Sequence, residues 1–300
     1  MYLNLLHLDD ALKQQPLFME TCANLQARET EAIQAASMVR LWGKSASIDN
    51  LRKQLTSSIF RNCGSGTVVT FMGSGDFHHV SALLIGMLAE ANREPLTVIH
   101  FDNHPDWVHF KGGMHCGSWV NRALDLPQVE KVITIGVCSH DLKWPQFKHA
   151  NLKAWRDGKI ILFPWHSPSE RFRQHDIEAV GEDDFLESLA SLITTRNVYI
   201  TIDKDVLSHR DAITNWDQGK MPLARLLGIV GSVLERHHAI GIDVTGDYSA
   251  PHYAGRMHHV ALKKLESMLD QPKQPIVLEN AANVNQMSNM ALLSRIREAI

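Results

Sequence analysis

The chain has 300 residues, a formal charge of -3 at neutral pH and basic residues scattered along its length, a balance that excludes a nucleic-acid surface as the main function and points to a small-molecule ligand. Four cysteines, Cys22, Cys63, Cys116 and Cys138, show neither CxxC nor disulfide-like spacing; no stretch approaches the roughly 18 apolar residues of a membrane span, and no basic leader opens the sequence. A reducing cytoplasm, no membrane contact and, for want of a Pro/Gly/Ser-rich linker, one domain over residues 1–300 are therefore expected.

The first 60 residues are expected to be mostly helical, a peripheral layer. In ANLQARETEAIQAASMVRLWGK, the residues Leu25, Ile33, Ala36, Val39, Leu41 and Trp42 recur at roughly helical spacing before Gly43. TVVTFM (67–72) reads as a short strand ending in GSGDFHHV, and SALLIGMLAEAN as a helix. LTVIHF (96–101) is a strand running into DNHPD, WVNRALDL a short helix, and KVITIGVCSHD a strand with a polar end. IILFPWH is a further strand and DDFLESLASLITT an amphipathic helix. VYITI precedes Asp203, LARLLGIVGSVLERH is a helix, AIGIDVTGD a strand and GRMHHVALKKLESMLD a helix. PIVLEN reads as a last strand before the closing helix MALLSRIREAI. Apolar strands of about five residues alternating with helices imply an α/β fold, a three-layer doubly wound parallel sheet with helices on both faces.

GSGDFHH, DNHPD, DKD and DVTGD each begin where an apolar strand ends, and the carboxyl ends of strands in open parallel sheets are where ligands bind. Asp102, His104 and Asp106 stand at alternate positions, so extended backbone would point all three one way; Asp203 and Asp205 repeat the spacing. Buried acids this close would protonate unless a cation sat between them. Oxygen and nitrogen donors without thiolate favour Mn2+, with Zn, Fe, Co and Ni as alternatives.

With these residues in place, the stretch from about 67 to 250 resembles the ureohydrolase superfamily of arginases, agmatinases and formimidoylglutamases, which has the arginase/deacetylase fold. GSGDFHH (73–79) is similar to that family's G-G-D-H motif, DNHPD (102–106) to its D-A-H-x-D, and TIDKD (201–205) to its S-x-D-x-D. The resemblance implies two divalent ions held by His78, Asp102, His104, Asp106, Asp203 and Asp205. Because Phe77 separates Asp76 from the histidines, His79 stays open as the alternative to His78. It also implies a hydroxide bridging both metals that attacks a non-peptide C–N bond of a small guanidino, amidine or amide compound. Asp106 and His115 would be catalytic, His115 and Asp247 would bind substrate, and the chain would be a trimeric or hexameric homo-oligomer. A deacetylase-like single-metal amide hydrolase and a catalytically silent binding protein of the same fold are the competing readings.

The sequence also departs from that pattern. Trp107, Val108 and His109 follow DNHPD where arginases place an asparagine, and Gly246 stands where the late strand of the family carries a guanidinium-binding glutamate, with Asp247 next to it. Trp107, Trp216 and Tyr253 are candidates for pocket walls. Lys204 separates the two late aspartates; alternation is expected to turn it away from the metals toward an acid.

Overall fold

The computed structural model describes residues 1–58, 66–273 and 275–300, so Cys63 lies outside the described residues. The chain begins β1 (Tyr2–His7), α1 (Pro16–Asn24), β2 (Arg28–Glu31), α2 (Ile33–Val39), β3 (Trp42–Lys44) and α3 (Ser45–Ser58). It continues β4 (Val68–Phe71), α4 (Val80–Asn92), β5 (Leu96–Phe101), β6 (Gly113–His115), α5 (Trp119–Leu124), β7 (Val129–Ile135), α6 (Leu152–Arg156) and β8 (Ile160–Phe163). The last third is α7 (Ile177–Val180), α8 (Glu182–Leu192), β9 (Asn197–Asp203), α9 (Leu223–Arg236), β10 (His238–Thr245), α10 (Met257–Asp270) and α11 (Leu278–Ala299).

Eight strands form one sheet in the order β2-β1-β4-β10-β9-β5-β7-β8, and every adjacent pair is parallel. All six residues of β5 are buried, as expected for a strand covered on both faces. Its residues alternate between two apolar clusters: Leu96 and Val98 pack with α4 and α5 on one side, Ile99 and Phe101 with α9 and α11 on the other. The predicted three-layer α/β architecture is thus the observed one. After β8 the chain returns to insert β9 and β10 between β5 and β4. The four motif-bearing strands, β4, β10, β9 and β5, are consequently neighbours, and the reversal between β5 and β9 opens a crevice at their carboxyl ends.

Two expectations are corrected. The segment 1–58 is mostly helical, as expected, in α1, α2 and α3, but it is not only a peripheral layer, because it also supplies β1 and β2 to the main sheet. β1, YLNLLH, is leucine-rich and buried on both faces after Tyr2, and β2, RETE, is polar because it sits at the sheet edge with β1 as its one partner. PIVLEN does not form a last strand: Leu278 already belongs to α11, whose residues Ala281, Asn285, Ser288, Leu292 and Ile296 recur at helical spacing on its buried face.

Beneath the crevice, a buried polar knot ties four segments distant in sequence together. Lys204 Nζ donates to Asp247 Oδ1 at 2.7 Å, and Gln15 Nε2 donates to the same oxygen at 2.8 Å. Asn289 Nδ2, from α11, donates to Gln15 Oε1 at 2.8 Å. Lys204 is wholly buried, so its ammonium is stable there only because the carboxylate faces it; burial still pulls its pKa below the ordinary lysine value. Removing one partner of such a pair strands a charge in low dielectric. Lys204→Met is therefore expected to lower unfolding free energy by about 3–5 kcal/mol, measured by urea denaturation; a loss under about 1 kcal/mol would show the pair to be dispensable.

Candidate metal centre

Three short turns, rather than extended strand ends, bring the predicted ligands together. β5 stops at Phe101, and Asp102 accepts a hydrogen bond from the backbone N–H of His104 at 2.6 Å, closing a tight turn of the kind an aspartate side chain favours. Asp106 then adopts φ of 48°, a left-handed conformation rare outside glycine and typical of functional sites. Likewise Asp203 Oδ1 accepts from the N–H of Asp205 at 3.0 Å and caps a 3-10 turn over Lys204–Val206. The alternation argument is corrected here, although the convergence it foresaw is present. Lys204 is directed into the knot below, as expected. In the first motif, a 3-10 turn over Gly75–Phe77 buries Phe77 in the core and delivers His78 to the crevice. Gly75 is required there, since a Cβ would stand 2.6 Å from Asp203 Oδ2.

The resulting cluster contains all six predicted ligands. His78 Nδ1 lies 2.9 Å from Asp102 Oδ2, 3.2 Å from Asp106 Oδ2 and 3.5 Å from Asp203 Oδ2. One buried nitrogen facing three carboxylates at once marks a place suited to a cation. On the other side, His104 Nδ1 lies 2.9 Å from Asp205 Oδ2 and 3.3 Å from Asp102 Oδ1. Two donor groups able to hold an ion follow, His78, His100, Asp102 and Asp106, and Asp102, His104 and Asp205, and they share Asp102. His79 is buried with both ring nitrogens unpartnered and belongs to neither group, so the geometry favours His78 of the two.

Electrostatics follow from burying this much charge. Burial, then the charge of Asp102, pushes the carboxyls of Asp106 and Asp203 up to about 6. Asp205 is raised for the same two reasons. At Asp102 burial also raises the pKa, but hydrogen bonds from His100, His104 and His78 outweigh it and hold this carboxyl well below the usual range. Burial opposes charge on His78 and His104, and the surrounding carboxylates overcome it, lifting both imidazoles well above their ordinary value. Protons thus do in the metal-free site what cations would do better.

A cavity of about 520 Å³ opens onto the cluster. Val108, Trp216 and Leu269 supply its apolar wall; Asp141, Asp217 and Asp270 supply acid beyond the ligands. Lys148 also lines it and is paired with Asp141. His115 reaches the cavity from β6, held by pairing with Trp42 of β3. Its Nδ1 accepts from the N–H of Gly117 at 2.8 Å, so Nε2 carries the proton, donated to Glu266 Oε1 of α10 at 2.5 Å. Asp247 is not brought to the cavity: it is buried in the Lys204 knot. Trp107 is core, packed near Phe172, and Tyr253 flanks a small cluster around Trp42, leaving Trp216 as the wall among the three aromatics considered.

Comparison with known proteins agrees with the fold. The arginase family model matches residues 10–245. The chain belongs to the arginase family. An uncharacterized protein of Thermotoga maritima is 26% identical over 179 residues, 60% of this chain and 58% of that relative, so the match spans under two thirds of its length. Among solved structures, Entamoeba histolytica arginase in complex with L-ornithine superposes with a TM-score of 0.62 at 12% identity, covering 99% of each chain. Proclavaminate amidino hydrolase from Streptomyces clavuligerus gives 0.58 at 14% identity, covering 100% of this chain and 93% of that one. At such identities these likenesses speak for the arginase fold alone.

Sequence reasoning missed three residues at this arginase-family site. His100, inside β5, places Nε2 2.9 Å from Asp102 Oδ2; it extends the 102, 104, 106 series backward by one step, a signal hidden because a histidine within an apolar strand reads as core. Asp217 accepts at 2.9 Å from His104 Nε2, and Glu266 holds His115; neither lies near a motif. The raised acids carry a pH consequence. Their folded pKa exceeds the unfolded one, so their contribution to stability is complete below about pH 4 and is lost as pH rises through about 6. The raised imidazoles act in the same sense. Chelator-treated protein is therefore expected to lose melting temperature from pH 4.5 to 7 more steeply than the Asp203→Asn variant, as read by calorimetry, while stabilisation by added Mn2+ grows over that interval. Parallel profiles for the two proteins would contradict the electrostatics described.

Proposed function

We propose that this arginase-family chain is a two-metal hydrolase that cleaves a C–N bond of a small cationic guanidino or amidine compound. The observation that carries the reading is Asp102, which stands in both donor groups and so suits a carboxylate shared by two ions. Asp203 faces the same histidine nitrogen as Asp102 does, its Oδ2 3.5 Å from His78 Nδ1. We assign His78, Asp102, Asp106 and Asp203 to one ion and Asp102, Asp203, His104 and Asp205 to the other, with Mn2+ the preferred metal for this donor set. Such ions, when bound, supply charge neutralisation and an activated water for addition to a trigonal carbon.

The chain's own residues orient and exclude. Asp106, held by a 2.6 Å hydrogen bond from Trp119 Nε1, is fixed where it can accept a proton from the attacking water and return it to the amine leaving group. Asp217 and Asp270 favour a cationic substrate in the cavity, and Trp216 and Leu269 cover its stem. His115, with both nitrogens engaged, shapes the cavity; it would donate a proton only after leaving Glu266. Two acids beyond a single-metal set, Asp106 and Asp205, lie inside the cluster, which favours this reading over a deacetylase-like site with one metal.

The test is a screen of Mn2+-reconstituted protein against guanidino, amidine and acyl-amine compounds, detecting urea, ammonia or amine release. Turnover of a guanidino or amidine compound is expected, with Asp102→Ala and Asp203→Asn falling to background in both metal content and rate while far-UV circular dichroism is unchanged. A fully active, metal-loaded Asp102→Ala protein would defeat the assignment.

A further inference from the structure

Behind His78, on the side away from the carboxylates, lies a chain of buried polar groups to which the motif comparison assigns no metal-binding role. His78 Nε2 is 2.9 Å from Thr201 Oγ1. Thr201 Oγ1 donates to Asp243 Oδ1 at 2.7 Å, Ser81 Oγ donates to the same oxygen at 3.0 Å, and Tyr199 Oη donates to Asp243 Oδ2 at 2.6 Å. All five residues are buried, with exposure of 1% or less. Asp243 sits on β10, two residues short of the strand end, with Thr201 on β9 beside it in register.

Counting protons along this chain fixes their direction. A carboxylate offers only lone pairs, so the hydroxyls around Asp243 must each spend their single proton on it. Thr201, having given its proton to Asp243, has only lone pairs left for His78. His78 must then present Nε2–H, so when a cation displaces the other proton of the ring it is Nδ1 that is bared toward Asp102, Asp106 and Asp203. That is the form an imidazole needs to donate an electron pair to a cation.

We infer that Asp243 is a positioning residue for cation binding: acting through Thr201, it selects the Nε2–H tautomer of His78 and aims Nδ1 into the metal centre. The inference rests on the two-metal reading of the site. It adds a residue outside the ligand set whose effect passes through a hydroxyl. An amide at position 243 would offer an N–H to Thr201, free the threonine proton to turn toward His78 Nε2, and favour the tautomer that blocks Nδ1.

The experiment measures Mn2+ and Zn2+ affinity by isothermal titration, with long-range 1H–15N correlation of the histidine rings in the chelator-treated protein at a pH high enough to leave His78 neutral. Asp243→Asn and Thr201→Val are expected to weaken binding by about 10- to 100-fold and to remove the Nε2–H signature of His78. Thr201→Ser, which keeps the hydroxyl, is expected to restore affinity to near the parent value. Tyr199→Phe takes a different donor from the same carboxylate; it should lower melting temperature and leave both metal affinity and tautomer unchanged. If Tyr199→Phe weakens metal binding as much as Asp243→Asn, or if His78 keeps Nε2–H in Asp243→Asn, Asp243 is a structural acid and the inference falls. If the parent protein binds neither ion, the two-metal reading falls first and the inference with it.

Discussion

Mutual repulsion of buried carboxylates is the constraint on which this molecule's central crevice depends. Asp102, Asp106, Asp203 and Asp205 are each nearly removed from water, and four such charges held side by side are stable only against positive charge. The fold contributes the meeting place, because β5 and β9 are adjacent although about a hundred residues separate them in sequence. What the fold cannot contribute is the compensation. In the metal-free protein that is supplied by protonated imidazoles and raised acid pKa values, an arrangement that cations are better suited to provide.

The same strand ends show how the surroundings are kept from competing. Lys204 stands between two of the clustered aspartates, Asp203 and Asp205, and a lysine directed into the cluster would repel any cation there. Its turn points it downward, where Asp247 neutralises it. Gly246, with φ of 93°, lets the end of β10 pass close to Asp203 and Lys204 without a side chain in the way. The crevice therefore keeps its negative potential, and the acids that line the cavity extend it outward toward solvent.

Much of this was legible in the residues and some was not. The central strands, the helices between them and the clustering of six acids and histidines could be read because apolar runs stop abruptly at Asp and His, a pattern with few other causes. β1 and β2 escaped because a strand buried on both faces lacks alternation and a polar edge strand resembles a loop. The residues PIVLEN misled through β-branched composition, while burial of the following helix decided the structure. Asp102 and Asp203 were expected to converge from extended strand ends and do converge, but through tight turns, since a tight turn and an extended chain can both bring residues i and i+2 together. His100, Asp217 and Glu266 carried no motif; only folding brings them to their partners. Asp247, chosen for its place next to Gly246, was claimed instead by Lys204, a long-range pairing that spacing cannot reveal.

The central claim is that Asp102 is shared between two neighbouring ions. Electron paramagnetic resonance of the purified protein titrated with Mn2+ tests it most directly. Two ions per chain giving the broadened spectrum of a spin-coupled pair is the expected result. A single ion per chain with an uncoupled six-line spectrum, persisting at saturating Mn2+, would contradict it.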